Sequence, residues 1–116
     1  MELYPGQEIS GTFWRSGEWT PNKGLTAYDI VHFEACEHGN DDIKQQALEA
    51  VVSEAIALDM SYDEYLTTIP AKKIIWATLK KKDVERYEGD IFSFPIHKGM
   101  VLADDNEGGY LIWIKS

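Results

Sequence analysis

His32, Glu34, Cys36 and His38 alternate along the chain, and on a β-strand all four side chains would project from one face. Those are the ligating types of a zinc site. On a helix the same positions do not converge as a set, and zinc sites normally draw ligands from more than one element, so no metal site is assigned. Cys36 would act as a nucleophile only if a neighbouring histidine favoured its thiolate, and the flanking acids Glu34 and Glu37 oppose that. An inert, buried thiol is the expectation. The sequence holds no G-x-x-x-x-G-K-[ST], no G-x-G-x-x-G, no paired C-x-x-C and no H-E-x-x-H, so the commonest cofactor chemistries find no support.

The chain is 116 residues long, 44% hydrophobic and 12% aromatic, which fits one domain, residues 1–116, and excludes intrinsic disorder. Its net charge is −9. The excess is confined to residues 29–64, where ten acids face a single base, Lys44; the remaining positions balance, ten against ten. Six of those bases, Lys72, Lys73, Lys80, Lys81, Lys82 and Arg86, cluster in one run. The overall field repels nucleic-acid phosphates and anionic lipid, so direct nucleic-acid binding and membrane association are not expected. One cysteine forms no internal disulfide, the start lacks the pattern of a signal peptide, and no apolar run is long enough to cross a bilayer. A cytoplasmic protein is the expectation.

The elements that must carry any site are read from periodicity. Residues 9–15 form an early strand in which Ile9, Phe13 and Arg15 share one parity and Trp14 has the other; residues 17–24, with Pro21 and Trp19, form a loop. Residues 25–37 suit either a helix capped by Thr26 or an alternating strand, with the helix preferred. After Gly39, Asp41 and Asp42 open a long amphipathic helix in which Ile43, Ala47, Val51 and Ala55 recur every four residues, ending near Leu58. Ser61 and Glu64 form a capping-box pattern for a short helix that stops before Pro70.

The last third changes character. Residues 73–79 (KIIWATL) read as a strand, and residues 80–88 as a short helix with Val84 and Tyr87 on one face, ended by Gly89. Residues 90–96, 100–103 and 110–114 read as three further strands, Pro95 marking a sheet edge or a bulge. The sum is an α+β fold: a mainly antiparallel sheet of about five strands, a central long helix and one or two short helices.

The series W76-A77-T78, a helical turn with Val84 and Tyr87, two strands and then D-N-E-G-G-Y-L resembles the second half of small ADP-ribosyltransferase-like domains. Such domains carry an arginine on an early strand, a Ser or Thr on a middle strand and a glutamate at or near a late one. Arg15, Thr78 and Glu107 stand in that order. The resemblance implies that NAD is the substrate. Arg15 would hold the pyrophosphate by bidentate hydrogen bonds, and Thr78 would fix the nicotinamide-side ribose or the strand around it. Glu107 would bind the ribose 2′-hydroxyl and stabilise an oxocarbenium-like centre as nicotinamide leaves. Arg15 also ends the inward face of its strand, where a cleft would lie. Thr78 lacks the second hydroxyl of a Ser-Thr-Ser run, and Asn106 and Asp105 stand where a paired glutamate would be, so the acceptor is left open.

The charge map supports an alternative of another class, a non-catalytic acidic inhibitor or immunity-type protein docking on a basic surface of a nucleic-acid-binding protein or toxin. Glu49, Glu54, Asp59 and Asp63 are its candidate interaction residues.

Overall fold

The computed structural model describes residues 3–17, 24–85 and 89–115. Its strands are β1 (Glu8–Ser16), β2 (Ile74–Thr78), β3 (Ile91–Asp104) and β4 (Gly109–Ile114), all paired antiparallel. Their order is β1-β2-β4-β3, closed into a barrel. Its helices are α1 (Ala27–His38), α2 (Asp41–Ala50), α3 (Val52–Ala57) and α4 (Tyr62–Thr67). The α+β class expected from the sequence is therefore observed. The expected residues Trp19, Arg86, Tyr87 and Glu88 lie outside the described residues.

Four strands stand among the described residues where about five were expected, because two expected strands are one. His97, Lys98 and Gly99 separate the two expected strands, yet β3 continues through them over its 14 residues, with a register irregularity against β1 between Ile9 and Gly11. The first part of β3 pairs with β1, from Ile91 to Met100, and its last part with β4, from Gly99 to Asp104. Gly99 lies where the two neighbours meet, opposite both Ile9 and Ile114. A β-carbon there would stand 2.9 Å from Ile96 Cγ2 of the same strand and 3.4 Å from Ile9 Cγ1 and the Trp113 carbonyl oxygen of the two neighbours, so the glycine makes room for close packing. Pro95 faces Thr12 in the part of β3 paired on one side only, which fits its missing N–H.

The expected long helix is also interrupted. Val51 adopts φ −105°, ψ 8°, outside helical geometry, and separates α2 from α3. Side-chain spacing does not register the break: Ile43, Ala47, Val51 and Ala55 are all buried on one face. The amino-terminal segment lies against this point, Gly6 facing Ala50 so closely that a β-carbon would be 3.5 Å from its carbonyl oxygen. Of the two readings of residues 25–37 the preferred one, the helix, is observed, as α1 (Ala27–His38) with Thr26 at its N-cap. Thr26 accepts from Asp29 N, and Asp29 Oδ2 accepts from Thr26 N at 2.8 Å, a reciprocal cap that satisfies two otherwise orphaned donors. Ser61 caps α4 by accepting from Glu64 N at 3.2 Å. In place of the expected helix after residue 80, a 3-10 turn spans Lys81–Asp83, with Val84 buried behind it.

Period-two alternation divides the core into two layers. Ile75, Ala77, Tyr110 and Ile112 join Phe13, Ile96 and Val101 in one cluster, while Ile74, Leu102 and Leu111 join Val31, Ala47, Val51 and Leu66 in the other. Helices α1, α2 and α4 pack on one another, and α2 lies on β3.

Candidate cleft at the seam between β1 and β2

The barrel closes weakly at one place. Strands β1 and β2 share a single register pair, Trp14 with Thr78, whereas β1 pairs with β3 along most of its length. Past that pair, Arg15 and Ser16 on one strand and Ala77 and Trp76 on the other line a cleft of about 480 Å³. That volume is within the range of small-molecule sites, roughly 300–1,000 Å³. Asp105 and Gly109 bound it at the start of β4.

Arg15 reaches across the parted seam. Its Nη1 donates to the Trp76 carbonyl at 3.2 Å, and its Nε donates to the Gly17 carbonyl at 3.2 Å. Burial lowers its pKa from the ordinary arginine value, but a guanidinium keeps its charge at any physiological pH. The cleft therefore contains a fixed, partly desolvated cation. A second cation is near: Lys81 Nζ lies 5.8 Å from the centre of the Trp14 ring, and Trp14 is a cleft wall. Two half-buried indoles, Trp14 and Trp76, provide flat apolar surface beside these charges.

Thr78 lines the same cleft and is 4% exposed. Its hydroxyl is directed to backbone, donating to the Lys80 carbonyl at 3.0 Å with the Trp14 carbonyl 3.5 Å away. Of its two expected roles, that geometry serves the fixing of the strand.

Glu107 does not line this cleft. It borders a neighbouring depression of about 450 Å³ together with Glu34, Asp42 and Asp104, and the two hollows share Trp76 and Asp105 as a common wall. Asp105 is the carboxylate that borders both. Its Oδ1 accepts from Glu107 N at 2.7 Å and Gly109 N at 2.9 Å, which folds the D-D-N-E-G-G loop tightly. Asp104 Oδ1 accepts from Asn106 N at 2.8 Å, and Asn106 takes the left-handed conformation, φ 65°, that Asn tolerates. The sequence by itself does not mark Asp105, Trp14 or Trp76 as site residues. The density of turn-forming acids in residues 104–107 was the available signal for the first.

The other chemical candidates separate in space. Cys36 is exposed, contrary to the buried thiol expected, because α1 buries Ala27 and Val31 on its opposite side. Its Sγ lies 3.4 Å from His32 Nε2, Glu34 accepts from Asn40 Nδ2, and His38 packs edge-on to Phe33. No group of three or more His, Cys, Asp or Glu side chains among the described residues is arranged to hold a metal ion. Among the acidic candidates, Glu49 accepts from Gln45 at 3.4 Å, and Glu54 pairs with Lys115 at 3.7 Å. Asp59 and Asp63 are exposed, at the end of α3 and in the first turn of α4. No helix among the described residues is long and apolar enough to cross a membrane. No family model, no curated protein and no solved structure matches the chain.

Proposed function

We propose that the cleft binds NAD and that the protein is a small ADP-ribosyltransferase-like enzyme. The supporting observation is that Arg15 and Thr78, two of the three residues that carry the resemblance, line one cleft beside the loop that carries Glu107. The chemistry of the walls suits a dinucleotide. Arg15 brings a fixed positive charge to a pyrophosphate, Lys81 adds a second beside Trp14, and Trp14 and Trp76 offer ring surfaces to a base or nicotinamide. Thr78 pins the strand that carries the site.

In the reaction, the bond between the ribose anomeric carbon and the nicotinamide nitrogen breaks, and both electrons leave with neutral nicotinamide. Glu107, reaching over the Asp105 wall, accepts a hydrogen bond from the 2′-hydroxyl, and its charge stabilises the oxocarbenium-like carbon. An acceptor nucleophile then adds to that carbon and gives up its proton. Millimolar NAD should raise the melting temperature, and Glu107→Gln should abolish nicotinamide release with the melting temperature of the free protein unchanged. No binding at millimolar NAD overturns the reading.

A further inference from the structure

Between Lys44 and Lys72 the chain has no Lys, Arg or His and five acids. Within that stretch the carboxyl end of α3 turns sharply outward. Met60 N donates to the Ala55 carbonyl at 3.0 Å and Asp59 N to the Ile56 carbonyl at 3.1 Å, with Asp59 in the left-handed conformation at φ 54°. This is the Schellman arrangement, in which glycine is the usual residue at the left-handed position. Inward from this turn, Ala55, Tyr65 and Leu66 enter the core. Outward, Ile56 is 65% exposed, Leu58 62% and Tyr62 40%.

Single exposed apolar side chains are ordinary, but three of the seven large ones exposed among the described residues fall within seven positions. They are interleaved with the exposed carboxylates of Asp59, Asp63 and Glu64. Lys115 pairs with Glu54 in the same acidic stretch. An apolar patch set among acids that have no ion pair with a base among the described residues selects its occupant by charge. A second copy would bring like charges together, and an anionic lipid surface or nucleic acid would be repelled.

We propose that residues 56–63 are a docking surface for a basic amphipathic segment of a partner protein. Its apolar side chains would pack on Ile56, Leu58 and Tyr62, and its Lys or Arg side chains would meet Asp59, Asp63 and Glu64. This surface does not depend on the NAD reading, and either can fail alone.

The test uses the full chain with a short helical peptide of leucine and lysine, leucines on one face, beside a scrambled peptide of the same composition. Amide chemical-shift mapping should place the amphipathic peptide on residues 56–63, with binding weakened at least tenfold by the double substitution Ile56→Ser, Leu58→Ser. Raising the salt from about 50 to about 300 mM should weaken binding to the wild type more than to Asp59→Asn, Asp63→Asn. Asp59→Gly relaxes the left-handed backbone, so it should melt higher and yet bind the peptide less tightly. Equal binding of the scrambled peptide, indifference to the serine substitutions, or shifts centred on the acids of α2 would overturn the proposal. So would a dimer in sedimentation that the serine substitutions dissociate, since the face would then belong to a second copy.

Discussion

Gln46 and Asp104 are joined as two neighbouring strands would be: the side-chain Oε1 accepts from Asp104 N at 2.9 Å and Nε2 donates to the Asp104 carbonyl at 3.0 Å. The second amide hydrogen goes to Asp42 Oδ2 at 2.8 Å, so the side-chain amide is fully engaged between α2 and the end of β3. It anchors the loop that carries Asp105 and Glu107. Gln46→Ala leaves two partly buried backbone groups of Asp104 without these partners and should destabilise the chain by about 1–3 kcal/mol, read by urea unfolding. Gln46→Glu keeps an acceptor but sets a carboxylate against Asp42 and the Asp104 carbonyl. Its deficit should be larger at neutral pH than near pH 4, where protonation restores one donor.

Gly99 is a second point where a small change should tell. Its backbone has no need of glycine's conformational freedom, so the effect of Gly99→Ala is purely one of contact. The new methyl would stand 2.9 Å from Ile96 Cγ2 and 3.4 Å from both Ile9 Cγ1 and the Trp113 carbonyl oxygen. Overpacking of this kind costs about 1–3 kcal/mol. Thermal unfolding should show that loss, and amide exchange should accelerate first at the β1–β3 ladder around Ile9.

Those two glycine and glutamine positions mark where sequence reading stops. The buried face of α2 and α3 is legible because burial follows the four-residue spacing of Ile43, Ala47, Val51 and Ala55. The break at Val51 is not, since it lies in the backbone and leaves that spacing intact. Gly99 falls in a gap between two expected strands because local sequence carries no trace of the two neighbours that close around it. Arg15 and Thr78 are legible by type and order, and β1 and β2 bring them to one cleft. Asp105 reads as an ordinary turn acid, and its place on the cleft wall arises only when the loop folds against Trp76.

The buried phenol of Tyr65 predicts a loss of stability in alkali. Burial first, and the charge of Glu54 second, raise its pKa above the ordinary tyrosine value. A group whose pKa is higher in the folded state favours folding while it is protonated in both states. That contribution is lost as pH rises from about 10 through the raised value. Tyr65→Phe should flatten the fall in melting temperature across this window, and Glu54→Gln should shift its midpoint toward lower pH. A wild-type profile identical to that of Tyr65→Phe would show that another group controls alkaline unfolding.

Arg15 and Thr78 should be separable although they line the same cleft. Arg15→Lys keeps a charge but loses the fork that spans the Trp76 and Gly17 carbonyls and holds that charge in the cleft. Its expected effect is on both binding and stability: an NAD dissociation constant raised at least tenfold, and a loss of about 1–3 kcal/mol of unfolding free energy from the two released carbonyls. Thr78→Val is nearly isosteric and removes the donor to the Lys80 carbonyl in a site 4% exposed. That should cost about 1–2 kcal/mol of stability, and Thr78→Ser should recover most of it. Calorimetric titration with NAD and urea unfolding of the three variants distinguish the roles. If Thr78→Val weakens NAD as much as Arg15→Lys at unchanged stability, its hydroxyl touches the ligand; if Arg15→Lys loses stability and binds NAD as before, the guanidinium serves only to hold the parted strands together.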